Sequence, residues 1–167
     1  METPMETPDG EIIDDDRFRA VIYQLLQVSG LMLRTREHYA AAVGVTPPQF
    51  SILTAVHERP GSSVGDVAAR LHVSGPFVTA EANKLVDKGL LVRASAAHDR
   101  RVSELSVTED CARRLAAVAP VRQGANETIF GRLSPEEVEA FSASLVALLG
   151  GLDEALRVLD RPGEGPG

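Results

Sequence analysis

Asp99, Arg100 and Arg101 stand together in a polar stretch between two short apolar runs, and they carry the sharpest chemistry in the chain. A guanidinium on a thin hairpin tip fits a narrow DNA minor groove, where negative potential is focused. A second group opens an amphipathic segment upstream: Ser74, Gly75, Pro76, Phe77 and Thr79, followed by Asn83 and Lys84. A helix N-terminus offers unpaired backbone donors to phosphate, and its first-turn side chains reach base edges. The plainer alternative there is an exposed cap with Phe77 partly buried. Lys84 and Lys88 read either as phosphate contacts or as a solvated helix face. For the two arginines the plainer alternative is a surface ion pair, worth at most about 1 kcal/mol.

Bond-making chemistry has no comparable basis. No nucleophile–base set, phosphate-binding loop or paired buried carboxylates can be placed, so an enzyme is not expected. His38, His57, His72 and His98 lack metal-ligand spacing, and neither metal nor cofactor is expected. Cys111 is the single cysteine, which excludes an internal disulfide and reads as a buried structural thiol rather than an oxidant sensor.

The elements that must position these groups are mostly helical. Phe18, Val21, Ile22, Leu25, Leu26, Met32 and Leu33 recur at helical spacing, predicting a long first helix from about Asp14 to Val43 that ends near Gly44. Thr46-Pro47-Pro48-Gln49 reads as an N-cap, proline at the first helical position and capping-box glutamine. The helix it starts carries Phe50, Leu53 and Val56. Ser63 with Asp66 starts a short third helix with Val64, Val67, Ala68 and Leu71 inward. Ser74 caps a fourth, with Val78, Ala82, Leu85 and Val86 on its buried side and Gly89 past its end. Leu90–Arg93 and Val102–Val107 are the only convincing strands and form a hairpin. Thr108 caps a fifth helix holding Leu115, Val118, Val121, Ala125 and Ile129, in which Pro120 is expected to introduce a bend. Ser134-Pro135-Glu136-Glu137 begins a sixth, strongly apolar helix.

The domain reading is a disordered acidic N-terminus (1–13), a first dimerisation helix (14–45), a DNA-binding module (46–107), two further dimerisation helices (108–160) and a loose tail (161–167). The first and last helices are more apolar than so small a domain needs, which implies burial against a second copy. An intramolecular bundle is the plainer alternative.

Composition agrees. A core drawn from 44% apolar residues with only 4% aromatics, in 167 residues, rests on Leu, Val and Ala, as in helical proteins. The net charge of −7 sits entirely in residues 1–16, which hold seven acids and no base. Between Arg70 and Arg101 six basic residues face three acidic ones, enough for phosphate contacts but not for tight binding by charge alone. No apolar run suggests a membrane span or secretory signal, so a cytoplasmic location is expected.

From about Val43 to Cys111 the chain resembles the MarR family of winged helix-turn-helix regulators. The matching residues are Val45-Thr46-Pro47-Pro48-Gln49-Phe50 with Leu53, Val67-Ala68 with Leu71, and Val73-Ser74 with Val78-Thr79. They continue through Asn83-Lys84-Leu85-Val86, Lys88-Gly89-Leu90-Leu91, Asp99-Arg100-Arg101, Leu105 and Val107-Thr108. The resemblance implies a mainly α fold with a small β-hairpin wing, its winged helix-turn-helix flanked by dimerisation helices. It further implies a triangular two-fold homodimer on a pseudo-palindromic double-stranded operator, acting as a ligand-responsive repressor. Asp99 would orient Arg101 for the minor groove, with Arg100 on phosphate. The implied effector is a small aromatic acid or acyl thioester bound where the dimerisation helices meet the DNA-binding module. Arg34, His38, Tyr39 and Phe50, with Arg36 beside them, place cationic and aromatic groups at that junction.

The chain departs from the family pattern at three positions. Ala80 stands in place of a frequent arginine, Phe77 replaces a small hydroxyl residue and is free to meet a thymine methyl, and Cys111 replaces a glycine. The competing functional class is a winged-helix module that uses the same surface for protein partners without specific DNA binding.

Overall fold

The computed structural model describes residues 5–6, 12–13, 15–95 and 103–160. Two strands, β1 (Met5–Glu6) and β2 (Ile12–Ile13), pair antiparallel at the start of the chain, where the sequence predicts disorder. A ladder of two residue pairs is marginal by itself. Then come α1 (Asp15–Val43), α2 (Pro47–Glu58), β3 (Ser62–Ser63), α3 (Val64–Leu71), α4 (Gly75–Asp87), β4 (Leu91–Ser95), β5 (Ser103–Val107), α5 (Glu109–Phe130) and α6 (Pro135–Leu159).

Helix starts follow the capping signals. Thr46, Ser63 and Ser134 each complete a reciprocal capping box, with Gln49, Asp66 and Glu137 respectively. Asp66 is held below its ordinary value chiefly by its hydrogen bonds from the Ser63 hydroxyl and backbone. The Thr108 hydroxyl accepts the Cys111 N–H (3.2 Å) and donates to the Gly89 carbonyl (2.9 Å), tying the entry of the hairpin to its exit. α5 continues through Pro120 as one helix.

The residues divide into two units, 1–119 and 120–167. In the first, α2 is the central element: Phe50, Ile52, Leu53, Ala55 and Val56 are all buried. Around them pack Tyr39, Ala40 and Val43 of α1, Val67 of α3, Val78, Ala82 and Leu85 of α4, and Leu90, Leu91 and Leu105 of the hairpin. Burial of each aliphatic side chain stabilises the fold by about 1.5–3 kcal/mol.

The sheet has three strands rather than the two read from sequence. Its order is β3-β5-β4, all antiparallel, and Leu105 stands between Ser62 and Arg93. A strand of two serines has no apolar alternation, so only its pairing with β5 reveals it. Val86 is also corrected: it is exposed, because the inward face of α4 is completed by Val78, Ala82 and Leu85. In the second unit α6 has no buried residue, and Leu148, Leu149, Leu152 and Leu156 are exposed, as are Val121 and Ile129 of α5. Among the described residues no helix is long and apolar enough to cross a membrane, and no cluster of His, Cys, Asp and Glu could hold a metal ion.

Candidate nucleic-acid interface

α3 and α4 meet through a three-residue turn. His72 adopts a left-handed conformation (φ +51°), and its N–H bonds back to the end of α3, so the chain reverses sharply before Ser74 caps α4. With Val78, Ala82 and Leu85 fixed inward, a period of 3.6 residues sends Pro76, Ala80, Asn83 and Asp87 outward together. Thr79 lies on the flank toward β4, where the Arg93 guanidinium donates to its carbonyl at 3.4 Å. Phe77, Glu81 and Lys88 lie on the opposite flank, toward α1 and α2.

The helix N-terminus is less open to phosphate than the sequence suggests. Pro76 brings no N–H, and the Ser74 hydroxyl accepts that of Phe77 at 3.3 Å. Gly75 therefore supplies the first-turn donor left for an anion. Lys84 bonds Glu81 at 2.6 Å, and Glu81 also accepts from Gln49 at 2.9 Å. These two bonds, Lys84 first, hold the Glu81 carboxyl below its ordinary value. Lys88 turns away from the outward face, its Nζ 3.1 Å from Gln49 Oε1 and 3.4 Å from the Gly44 carbonyl. Asp99, Arg100 and Arg101 lie outside the described residues.

The residues read as an effector site separate into two groups. Arg34 and His38 are exposed on α1, whereas Tyr39 and Phe50 are buried, their rings 6.1 Å apart at 45°. A cleft of about 250 Å³ opens nearby, lined by Leu33 and Arg36 of α1 and by Pro47, Pro48 and Ser51 of α2. Leu71, Val73 and Phe77 close its other side. The cation at the cleft is Arg36 rather than Arg34. Its position shows in the sequence only through the i, i+3 pairing with Leu33 on one helical face.

A helix-turn-helix followed by a short antiparallel hairpin, with a third strand closing the sheet, defines a winged-helix protein. The MarR family model matches residues 43–102. The transcriptional regulator HosA of Escherichia coli is 30% identical over 98 residues, 58% of this chain and 72% of HosA. The transcriptional repressor MdtR of Bacillus subtilis is 36% identical over 67 residues, 40% of this chain and 43% of MdtR. Among solved structures, S. aureus MepR in its DNA-binding conformation superposes with a TM-score of 0.72 at 25% identity, covering 79% of this chain and 98% of MepR. The chain belongs to the MarR family of winged-helix transcriptional regulators.

Proposed function

We propose that the chain is a homodimeric repressor that binds a pseudo-palindromic DNA operator and is released from it by a small anionic aromatic ligand. The observation that carries the DNA-binding reading is the outward face of α4, with Pro76, Ala80 and Asn83 presented beside the hairpin. MepR, similar over most of the chain, is described in a DNA-binding conformation, and MdtR is a repressor. With Ala80 neutral at the centre of that face, much of the electrostatic attraction falls to Arg100 and Arg101, aimed by Asp99. Ser74, Gly75, Thr79 and Asn83 supply the helix contacts, and Lys84, whose side chain is largely exposed, exchanges Glu81 for phosphate. Two copies must act together, because one module carries little net positive charge.

Electrophoretic mobility shift against the DNA upstream of the chain's own coding region tests this reading. Specific binding is expected at low salt. Changing Arg100 and Arg101 together to Ala should weaken it and lower the slope of log affinity against log salt by about one for each phosphate no longer neutralised. An unchanged slope and affinity would favour a protein-interaction module instead.

The cleft beside Arg36 supports the ligand reading. Its volume falls just below the common range for ligand pockets, about 300–1,000 Å³, which suits a single-ring acid better than an acyl thioester. Phe77 serves this cleft rather than a base edge. Benzoate at about 100 times its dissociation constant should stabilise the chain by about 2.7 kcal/mol in a thermal-shift assay. Arg36→Ala should abolish that shift.

A further inference from the structure

Side chains from α4 and α5 meet the C-terminal end of α1. α1 stops at Val43, and Gly44 beyond it takes φ +85°. The Gly44 and Val45 N–H groups satisfy the carbonyls of Ala40 and Ala41, which leaves the last carbonyls to side-chain donors. Arg114 of α5 donates to the Val43 carbonyl at 3.1 Å, and Lys88 at the end of α4 donates to the Gly44 carbonyl at 3.4 Å. Both cations thus sit at the negative end of a 29-residue helix.

Gln49, on α2, ties α4 to the short turn that leaves α1. Its side chain is buried, with the residue only 3% exposed, and both ends of its amide are engaged. Oε1 accepts from the Thr46 N–H (3.3 Å) and from Lys88 Nζ (3.1 Å), while Nε2 donates to Glu81 Oε2 (2.9 Å). α4 is therefore anchored through Glu81 and Lys88, two turns apart on one flank. A single anchor would leave a pivot, whereas two anchors two turns apart fix both the tilt and the roll of the helix.

We propose that Lys88 and Gln49 are positioning residues that fix the angle of the DNA-reading helix α4 relative to α1. This rests on the DNA-binding reading above for its consequence, the match of α4 to its half-site, but the geometry is testable without DNA. It also reassigns Lys88, which sequence alone offers as a phosphate contact.

Spin labels at Gln24→Cys on α1 and Ala80→Cys on α4, with Cys111 buried and unlabelled and labelled chains diluted in excess unlabelled chain so that a dimer holds one labelled copy, would report the angle as a distance distribution. The otherwise unaltered chain should give one narrow distribution. Lys88→Met and Gln49→Met should each broaden it, and Lys88→Arg should restore it. Lys88 is exposed, so Lys88→Met remains informative even where Gln49→Met fails to fold. An unchanged distribution in folded Lys88→Met overturns the proposal.

In a second arm, the unaltered chain selects a duplex from a random pool. Lys88→Met, without labels, should bind that duplex about 5- to 10-fold more weakly, the scale of one ordinary intramolecular hydrogen bond. Its salt slope should be unchanged; a slope lower by about one would make Lys88 a phosphate contact and overturn the assignment. If the unaltered chain enriches no duplex, the DNA-binding reading fails, and the spin-label result still decides the positioning role.

Discussion

Cys111 sits in the first turn of α5 with no exposed surface, and burial pushes its thiol up to about 11 against the opposing pull of the Arg114 guanidinium. The reacting species is the thiolate, so the raised value disfavours reaction at neutral pH. Alkylation by iodoacetamide, followed by mass spectrometry, should proceed at least about 100-fold more slowly in the native chain than in denaturant, since two pKa units deplete the thiolate a hundredfold. Equal rates would show that the burial does not persist in solution. Gln49 shows what spacing reveals and what it hides at this scale. Its capping-box role is an i, i+3 relation, readable in Thr46-Pro47-Pro48-Gln49. Its bonds to Glu81 and Lys88 cross 32 and 39 residues and depend on how α4 packs on α2. Phe77 is intermediate: the phase of Val78, Ala82 and Leu85 already puts it on a flank, but only the approach of Leu33 and Pro47 makes that flank a cleft.

At the scale of elements, the boundaries of the helices follow from local chemistry. Each capping serine or threonine satisfies a donor that the helix leaves open, a contribution of about 1 kcal/mol that acts before any tertiary contact forms. Gly89 plays the matching role after α4. Its φ is +69°, and a Cβ there would meet nothing within 4 Å, so the penalty for a side chain is purely conformational. Gly89→Ala should destabilise the chain by about 1–2 kcal/mol, the cost of a left-handed backbone for an L-residue. Urea denaturation should show a lower midpoint with an unchanged slope; an unmoved midpoint would mean that the turn relaxes to another conformation. β3 is the contrasting case. Ser62 and Ser63 have neither length nor pattern, and they form a strand because β5 offers Glu104 and Leu105 as partners.

At the scale of the whole molecule, the apolar faces of α1 and α6 require an account. Val21, Ile22, Leu26 and Leu31 on α1 are each at least 47% exposed, and the leucines of α6 from Leu148 to Leu156 are exposed as well. On each helix, exposed apolar residues in such number favour the proposed pairing with a second copy of the chain. Sedimentation equilibrium should return a dimer mass. Leu26→Asp should shift the population toward monomer with helical content retained, because Leu26 is exposed within its own chain. A monomer mass for the unaltered chain would remove the dimer reading. Composition, caps and apolar phase by themselves determined the order of helices, the helix-turn-helix and the hairpin, because each is set by residues within about a turn of one another. Only the tertiary structure decided that Lys88 faces the end of α1, that Arg36 rather than Arg34 lines the cleft, and that two serines complete the sheet. Those outcomes depend on which surfaces meet across tens of residues, where local spacing carries no information.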